Sequence, residues 1–416
     1  MFEESFIKND YGISRTIKLK DRNSVTKLFC DCKESDNLEK FWIQNFLRGK
    51  QTKYTPSRPL TIIDFCSSVG GLTLGAFEAA KALSYDPHSL LAVDIDANAL
   101  ATYEYNFKPR MTKHDSVSSF VDFNIGNLKN DNILSYEPQI IDPDLEKFRD
   151  KVSLFLAGPP CQGHSNLNNV TRRNDPRNSL YLDTVMAAIL LNAKAIVLEN
   201  VHTITSDHKN VVEISRRLLA QYEYHFYEIV LDASKLGGGQ TRKRHFLIAS
   251  KNELMDPEIV LKNIKRPKFN LKDIIEGDSF LSIPDHMHYM GKYSEENIKR
   301  INYLFDNDLY DLPNHVRPDC HKEDGHGYEA VYGRLSWDKP SPTITTGFLS
   351  PGRGRYIHPG ERRAITPHEA ARIQGFPDWF NFVNPKATEL AKWIGDAVPS
   401  SLSYTASLLA LLSLEE

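Results

Sequence analysis

From residue 61 to residue 250 the chain alternates short apolar runs with amphipathic stretches. The runs are Thr61–Ile63, Leu90–Val93, Ser153–Ala157, Ala195–Leu198, Glu228–Leu231 and His245–Ala249. Each is about one strand long, and continuous rather than alternating apolarity predicts strands buried on both faces. Helical spacing predicts helices over Leu72–Leu83 and Leu180–Asn192. Strand and helix in alternation predict an α/β fold, a doubly wound, Rossmann-like sheet. The pattern stops at Ser250. Residues 251 to about 333 are rich in Lys, Asp, Asn, Pro and Tyr, and predict a smaller, irregular second domain. After Pro399 helical spacing returns at Leu402, Ala406, Leu409 and Leu412. Before Pro56 and Pro59 the chain is polar and mixed, without a motif. The expected organisation is an N-terminal extension over 1–58, a catalytic and cofactor-binding domain over 59–250, a small target recognition domain over 251–385, and a segment over 386–416 that returns to the catalytic domain.

Composition narrows this picture only a little. With 416 residues and 41% hydrophobic content the chain can build more than one core. No apolar run reaches membrane-spanning length. The acidic start, Met1–Ser5, has no signal-peptide core, so a cytoplasmic location is expected. The formal net charge of −3 argues against a nucleic-acid binder. Local clusters argue the other way: Arg172, Arg173 and Arg177; Arg242, Lys243 and Arg244; Arg353, Arg355, Arg362 and Arg363. Five cysteines, an odd number, supply no disulfide framework.

Chemistry gathers where the strands end. Asp64-Phe65-Cys66-Ser67-Ser68-Val69-Gly70-Gly71 follows the first strand and opens a helix. Open α/β sheets bind ligands at that edge, and glycines let backbone approach them. The second strand ends in Val93-Asp94-Ile95-Asp96, where a carboxylate can meet ribose hydroxyls or simply cap a helix. A third acidic tip, Asp115, can accept from an adenine amine. Together the tips fit a nucleoside-bearing cofactor without choosing between S-adenosylmethionine and a dinucleotide. The fourth strand runs into Gly158-Pro159-Pro160-Cys161-Gln162-Gly163-His164-Ser165. Two prolines hold Cys161 at the ligand edge, which suits a nucleophile better than the ordinary buried thiol. Asn166 to Asn178 reads as a loop able to close over a phosphate backbone.

The segment Pro159-Pro160-Cys161-Gln162 resembles the catalytic motif of the DNA cytosine-5 methyltransferase family. Further motifs resemble the family's in the same order: Glu199-Asn200-Val201, Gln240-Thr241-Arg242-Lys243-Arg244, Arg334 to Thr346, Ala371 to Pro377, and Gly395-Asp396-Ala397-Val398-Pro399. The resemblance implies a methyltransferase that uses S-adenosyl-L-methionine and acts on double-stranded DNA, with Cys161 attacking carbon 6 of a flipped-out cytosine. It implies that Glu199 holds ring nitrogen 3 and the amine with a raised pKa, that Arg244 binds the base's carbonyl oxygen, and that Arg242 sits near it. Donor binding is implied for Asp64, Cys66, Gly70, Gly71, Asp94, Ile95, Asp115, Pro159 and Asp396. DNA contact is implied for Gln162, Ser165, Arg172, Arg173, Arg177 and Gln240. The region from 251, with Lys262, Lys265, Arg266, Lys268, Lys299 and Arg300, is expected to read base edges.

Four positions depart from the family pattern. Cys66 stands where Phe is common, with Ile95 expected to cover the adenine instead. Ser68 stands for Gly, His164 for an aromatic residue, and Asp396 for Asn. No metal is expected, because His286, His288, Cys320, His321 and His326 match no zinc spacing. Two other readings are an inactive DNA-binding regulator and an RNA cytosine methyltransferase. Intact Cys161, Glu199, Arg242 and Arg244 argue against the first. The absence of a Thr-Cys pair at the Glu199 strand end, and of a Cys-Phe-Thr signature, argues against the second. The expected role is protection of host DNA by a monomer, away from membranes, beside a restriction endonuclease or another defence protein.

Overall fold

The computed structural model describes residues 2–30, 37–160, 180–206, 210–276, 283–322 and 330–415. The N-terminal stretch carries more structure than its polar composition predicts. Strands β1 (Glu3–Asn9), β2 (Gly12–Lys18), β3 (Asn23–Phe29) and β4 (Thr52–Tyr54) form an antiparallel sheet in that order, with helix α1 (Leu38–Leu47) between β3 and β4. The period-2 alternation is present, but Glu4, Arg15, Ser24 and Thr26 occupy inward positions. Polar residues on the buried face hide a strand from a hydrophobicity pattern.

The central elements follow the expected alternation: β5 (Arg58–Phe65), α2 (Gly71–Ala82), β6 (Tyr85–Asp94), α3 (Ala97–Phe107) and β7 (Met111–His114). A small excursion adds β8 (Val121–Asp122), β9 (Gln139–Ile140) and α4 (Pro143–Glu146). The sheet resumes with β10 (Leu154–Ala157), α5 (Leu180–Leu190), β11 (Ala195–Val201), α6 (Val211–Gln221), β12 (His225–Asp232) and β13 (Lys243–Ser250). Strand order is β12-β13-β11-β10-β5-β6-β7. From β11 to β7 neighbours run parallel, while β13 is antiparallel to both β11 and β12. The order turns back between β5 and β10, the switch point where such sheets bind ligands.

Beyond the sheet lie α7 (Pro257–Asn263), α8 (Leu271–Ile275), α9 (Glu295–Asp306), α10 (Pro367–Gln374), α11 (Ala387–Asp396) and α12 (Ser400–Leu411). Around α9 a small core forms from Ile301, Leu304, Leu312, Val331, Tyr332 and Ile357. Helices α5 and α6 cover one face of the main sheet, burying Val185, Ile189 and Leu218 against Ile63, Phe155 and Leu198. Helices α2 and α12 cover the other, with Ala76, Ala80, Leu402 and Leu409 against Ile62, Val197 and Phe246.

Close contact of α2 with α12 depends on a missing side chain. A Cβ on Gly75 would lie 1.9 Å from Ser403 Oγ and 2.3 Å from the Tyr404 backbone nitrogen. Gly75→Ala should therefore force the helices apart and destabilise the protein by about 1–3 kcal/mol. Urea denaturation reads this directly, and an unchanged midpoint would refute the close-packing account.

Candidate active site

The turn after β5 is tight enough to use left-handed backbone three times, at Cys66 (φ 55°), Ser68 (φ 47°) and Gly70 (φ 93°). At Gly70 a side chain is excluded outright, since a Cβ would fall 2.2 Å from the Phe107 ring. Ser68 accepts the conformation without being glycine. Its N–H donates to Asp94 Oδ2 at 2.8 Å, and the Asp96 N–H donates to Asp94 Oδ1 at 2.9 Å. Asp94 thus stitches the turn to the tip of β6. Burial raises its pKa against those two hydrogen bonds. A carboxylate has about four acceptor positions, so Asp94 keeps two for a ligand.

Around this stitch the predicted residues divide. Ile95 stands 73% exposed at the sheet edge, and its carbonyl lies 2.9 Å from His114 Nε2. Asp96 is the helix cap, accepting from the N–H groups of Asn98 and Ala99 and from Trp393 Nε1. Asp115 is exposed and accepts from the Ser116 N–H at 2.7 Å. Cys66 is partly buried against the α5 side of the core, and burial pushes its thiol well up. Gly71 lies under the return segment, where a Cβ would sit 3.1 Å from the Val398 carbonyl. Buried Pro159 gives its carbonyl to Asn200 Nδ2 at 3.2 Å. Asp64 requires correction. Its side chain is fully enclosed beneath α2 and accepts from the Thr73 hydroxyl at 2.7 Å. Burial pushes that carboxyl up to about 8, so it carries a proton near neutrality and does not face the open edge.

One strand over, at the end of β11, Glu199 is 8% exposed. Its Oε1 lies 2.8 Å from Arg244 Nε, in an ion pair that joins β11 to β13. Burial raises the Glu199 pKa, and the charges of Arg244 and Arg242 pull against it. A Cβ on Gly158 would lie 3.6 Å from Glu199 Oε2, so the carboxyl is beside the backbone that leads into Cys161. Cys161, Gln162, Ser165, Arg172, Arg173 and Arg177 lie outside the described residues.

Three cations or amides expected at the base or the DNA are spent on the protein itself. Arg242 is 3% exposed and donates to the carbonyls of Ile344, Gly395 and Asp396. It holds the site together and does not point at a base. Gln240 is fully buried, donates to Ile373 O and Gln374 Oε1, and accepts from the Ile344 N–H. A side chain so enclosed is no DNA contact. Arg266 pairs with Glu4 at 2.6 Å and stacks on Tyr404, so it too is structural. Lys262, Lys265 and Lys268 remain exposed. Lys299 pairs with Glu296, and Arg300 donates to the Val316 carbonyl.

One residue near the return segment escaped the motif reading. Lys392 Nζ lies 3.4 Å from Asp396 Oδ2, and its charge also reaches Asp94 and Asp96. The four-residue spacing on α11 was a usable signal, because such pairs share a helix face. Lys392 answers the charge that Asp396 adds.

Residues 60–406 match the family described as C-5 cytosine-specific DNA methylase. The Type II methyltransferase M1.BsuMI of Bacillus subtilis (strain 168) is 40% identical over 386 residues, covering 91% of this chain and 86% of that protein. The Type II methylase M.HgiDII of Herpetosiphon aurantiacus is 27% identical over 365 residues, covering 82% of this chain and 92% of its own. Among solved structures, the Dnmt2 methyltransferase of S. pombe aligns with a TM-score of 0.56 at 18% identity, over 86% of this chain and 98% of its own. That likeness bears on the fold alone. The chain belongs to the C-5 cytosine-specific DNA methylase family, and its reaction is methylation of cytosine at carbon 5 in DNA.

Proposed function

We propose that this chain moves a methyl group from S-adenosyl-L-methionine to an extruded cytosine in a specific duplex sequence, through a covalent bond to Cys161. The observation that carries this reading is the Glu199–Arg244 pair, 2.8 Å apart at the sheet's ligand edge and beside the strand that leads to Cys161. Exposed Ile95 offers an apolar face for a purine, and Asp94 retains two acceptor positions. Both fit a nucleoside-bearing donor. The donor supplies an electrophilic methyl group; the rest falls to the protein.

Attack of the Cys161 thiolate on carbon 6 forms a C–S bond and moves the ring's electron pair toward nitrogen 3. Glu199, whose pKa burial raises against the pull of the two arginines, is placed to give that nitrogen a proton as charge builds there. Arg244 lies close enough to the same carboxyl to hold the base's carbonyl oxygen as charge builds. Carbon 5 is then electron-rich enough to take the methyl group. Loss of the carbon-5 proton to water, departure of Cys161 as thiolate and return of the nitrogen 3 proton to Glu199 restore the ring. M1.BsuMI and M.HgiDII are named as Type II enzymes. Protection of host DNA beside a restriction endonuclease is the corresponding role here.

Cys161→Ser should lower transfer of labelled methyl groups to DNA by roughly 10³-fold or more, while donor affinity by calorimetry stays within about twofold. Substantial residual transfer would sink the covalent route. Bisulfite sequencing of DNA from expressing cells would locate the target sequence.

The two arginines should separate cleanly. Arg244→Gln is expected to cut kcat by about 100-fold and to shift the urea midpoint less than Arg242→Gln does, because Glu199 can take up a proton once its cation is gone. Arg242→Gln should instead destabilise the fold by about 2–4 kcal/mol, since three carbonyls lose their shared donor. The reverse pattern would exchange their roles.

Asp396→Asn leaves Lys392 unpaired and should tighten donor binding by roughly threefold, whereas Lys392→Met should weaken it by a similar factor. Equal effects of the same sign, measured by calorimetry, would show that neither charge meets the donor.

A further inference from the structure

We propose that Asp183 is a donor-binding residue, its carboxylate accepting a hydrogen bond from the adenosine half of S-adenosyl-L-methionine. The proposal deepens the donor reading above and rests on it. Asp183 lies in the first turn of α5. It is half-buried, and neither an ion pair nor a hydrogen bond engages its side chain among the described residues. Such isolation is costly for a carboxylate. Buried charges are ordinarily paired, and a helix N-terminus offsets part of the cost of leaving one alone. Other acids of the region each hold at least one partner: Asp64 has Thr73, Asp94 two N–H groups, Asp96 the start of α3 and Trp393, and Asp115 Ser116.

Location gives this lone acceptor a direction. The start of α5 lies at the carboxyl edge of the sheet, and Asp183 is close enough to Cys66 for its charge to act on the thiol. Cys66 itself sits in the left-handed turn that Asp94 stitches to β6. A thiol is far smaller than the phenyl ring that the family commonly has at that position, so less side chain stands there against the α5 side of the core. The groups of an adenosine that can donate are its amine and its ribose hydroxyls, and either satisfies the carboxylate.

Burial alone pushes Asp183 up to about 6. Protonation there removes the acceptor, so donor affinity should fall as pH drops from about 7 to 5. Cys66, which the charge of Asp183 reaches, is also acted on by Asp64 of β5 and by Asp94 at the end of β6. Glu199 and Glu228, on β11 and β12, act on neighbouring Tyr181. Asp94 also has a raised pKa, so the difference between wild type and a variant carries the assignment.

The test measures S-adenosylhomocysteine affinity by calorimetry between pH 5 and pH 8 for wild type, Asp183→Asn and Asp183→Ala. Expected is a loss of roughly 10-fold or more at pH 8 in both variants. KM for the donor should rise by more than kcat falls, and the acid-side loss of affinity should shrink in both variants. Deaminated and 2′-deoxy analogues then tell amine from ribose, as the arm in which wild type loses its advantage over Asp183→Asn. Unchanged affinity with a shifted urea midpoint would make Asp183 structural and overturn the proposal. Should the variants not fold, a wild-type affinity that stays flat from pH 8 to pH 5 overturns it equally. Failure of wild type to bind S-adenosylhomocysteine at any pH would defeat the donor reading itself, a distinguishable result.

Discussion

One buried guanidinium organises the site. Arg242 takes up carbonyls from two distant parts of the chain, Ile344 on one side and Gly395 and Asp396 on the other. A charge removed from water must find all its partners or become a liability, so this arrangement is close to all-or-none. Gln240 acts in parallel, joining Ile344, Ile373 and Gln374. Gln374 in turn donates to the Ile394 carbonyl. Because these bonds bring the return segment to the sheet edge, Val398 meets Gly71 and α12 settles on α2 at Gly75. Two residues further along, Arg244 is thereby aimed at Glu199.

The same geometry divides the sheet edge into two electrostatic halves. At β11 a raised carboxyl is faced by cations, a setting that lets Glu199 exchange a proton while the base carries transient charge. At β5 and β6 the acids Asp64 and Asp94 are also raised by burial, but hydroxyl and backbone N–H groups hold them. No arginine pairs with either carboxylate among the described residues; the nearby cation is Lys392, already committed to Asp396. The half with a fixed guanidinium suits an intermediate that gains negative charge. The other half, where Asp94 and exposed Asp115 stand at the edge, suits a ligand that offers hydrogen-bond donors.

The parts of this design that could be read in sequence are those with a period or an order. Strands buried on both faces leave unbroken apolar runs, and β5, β6, β10, β11, β12 and β13 all overlap the runs predicted for them. The ligand edge was legible too, because motifs repeatedly fall just after a strand. What the motifs could not give was direction. Gln240, Arg242 and Arg266 are polar residues in a region expected to meet nucleic acid, yet backbone carbonyls, amide groups and Glu4 satisfy them internally. Nothing in residue type separates those outcomes. Asp64 likewise sits on a strand whose tip binds ligands, but its own position faces Thr73 beneath α2. Asp183 belongs to no quoted motif, and only its isolation inside the fold marks it.

The N-terminal sheet shows how one such diversion arises. The family match begins at residue 60, so β1 to β4 and α1 lie outside it. Their attachment is polar as well as apolar: Glu4 pairs with Arg266, and Arg15 reaches the Tyr404 hydroxyl while stacking on Trp42. Arg266 also lies over the Tyr404 ring, so a single aromatic side chain on α12 receives cations from both the added sheet and the segment after β13. Glu4 has 0% exposure, and without Arg266 it would be a buried carboxylate lacking its cation. Once the sheet is in place, Arg266 is therefore no longer available to a ligand. The addition fixes the root of the region that follows β13.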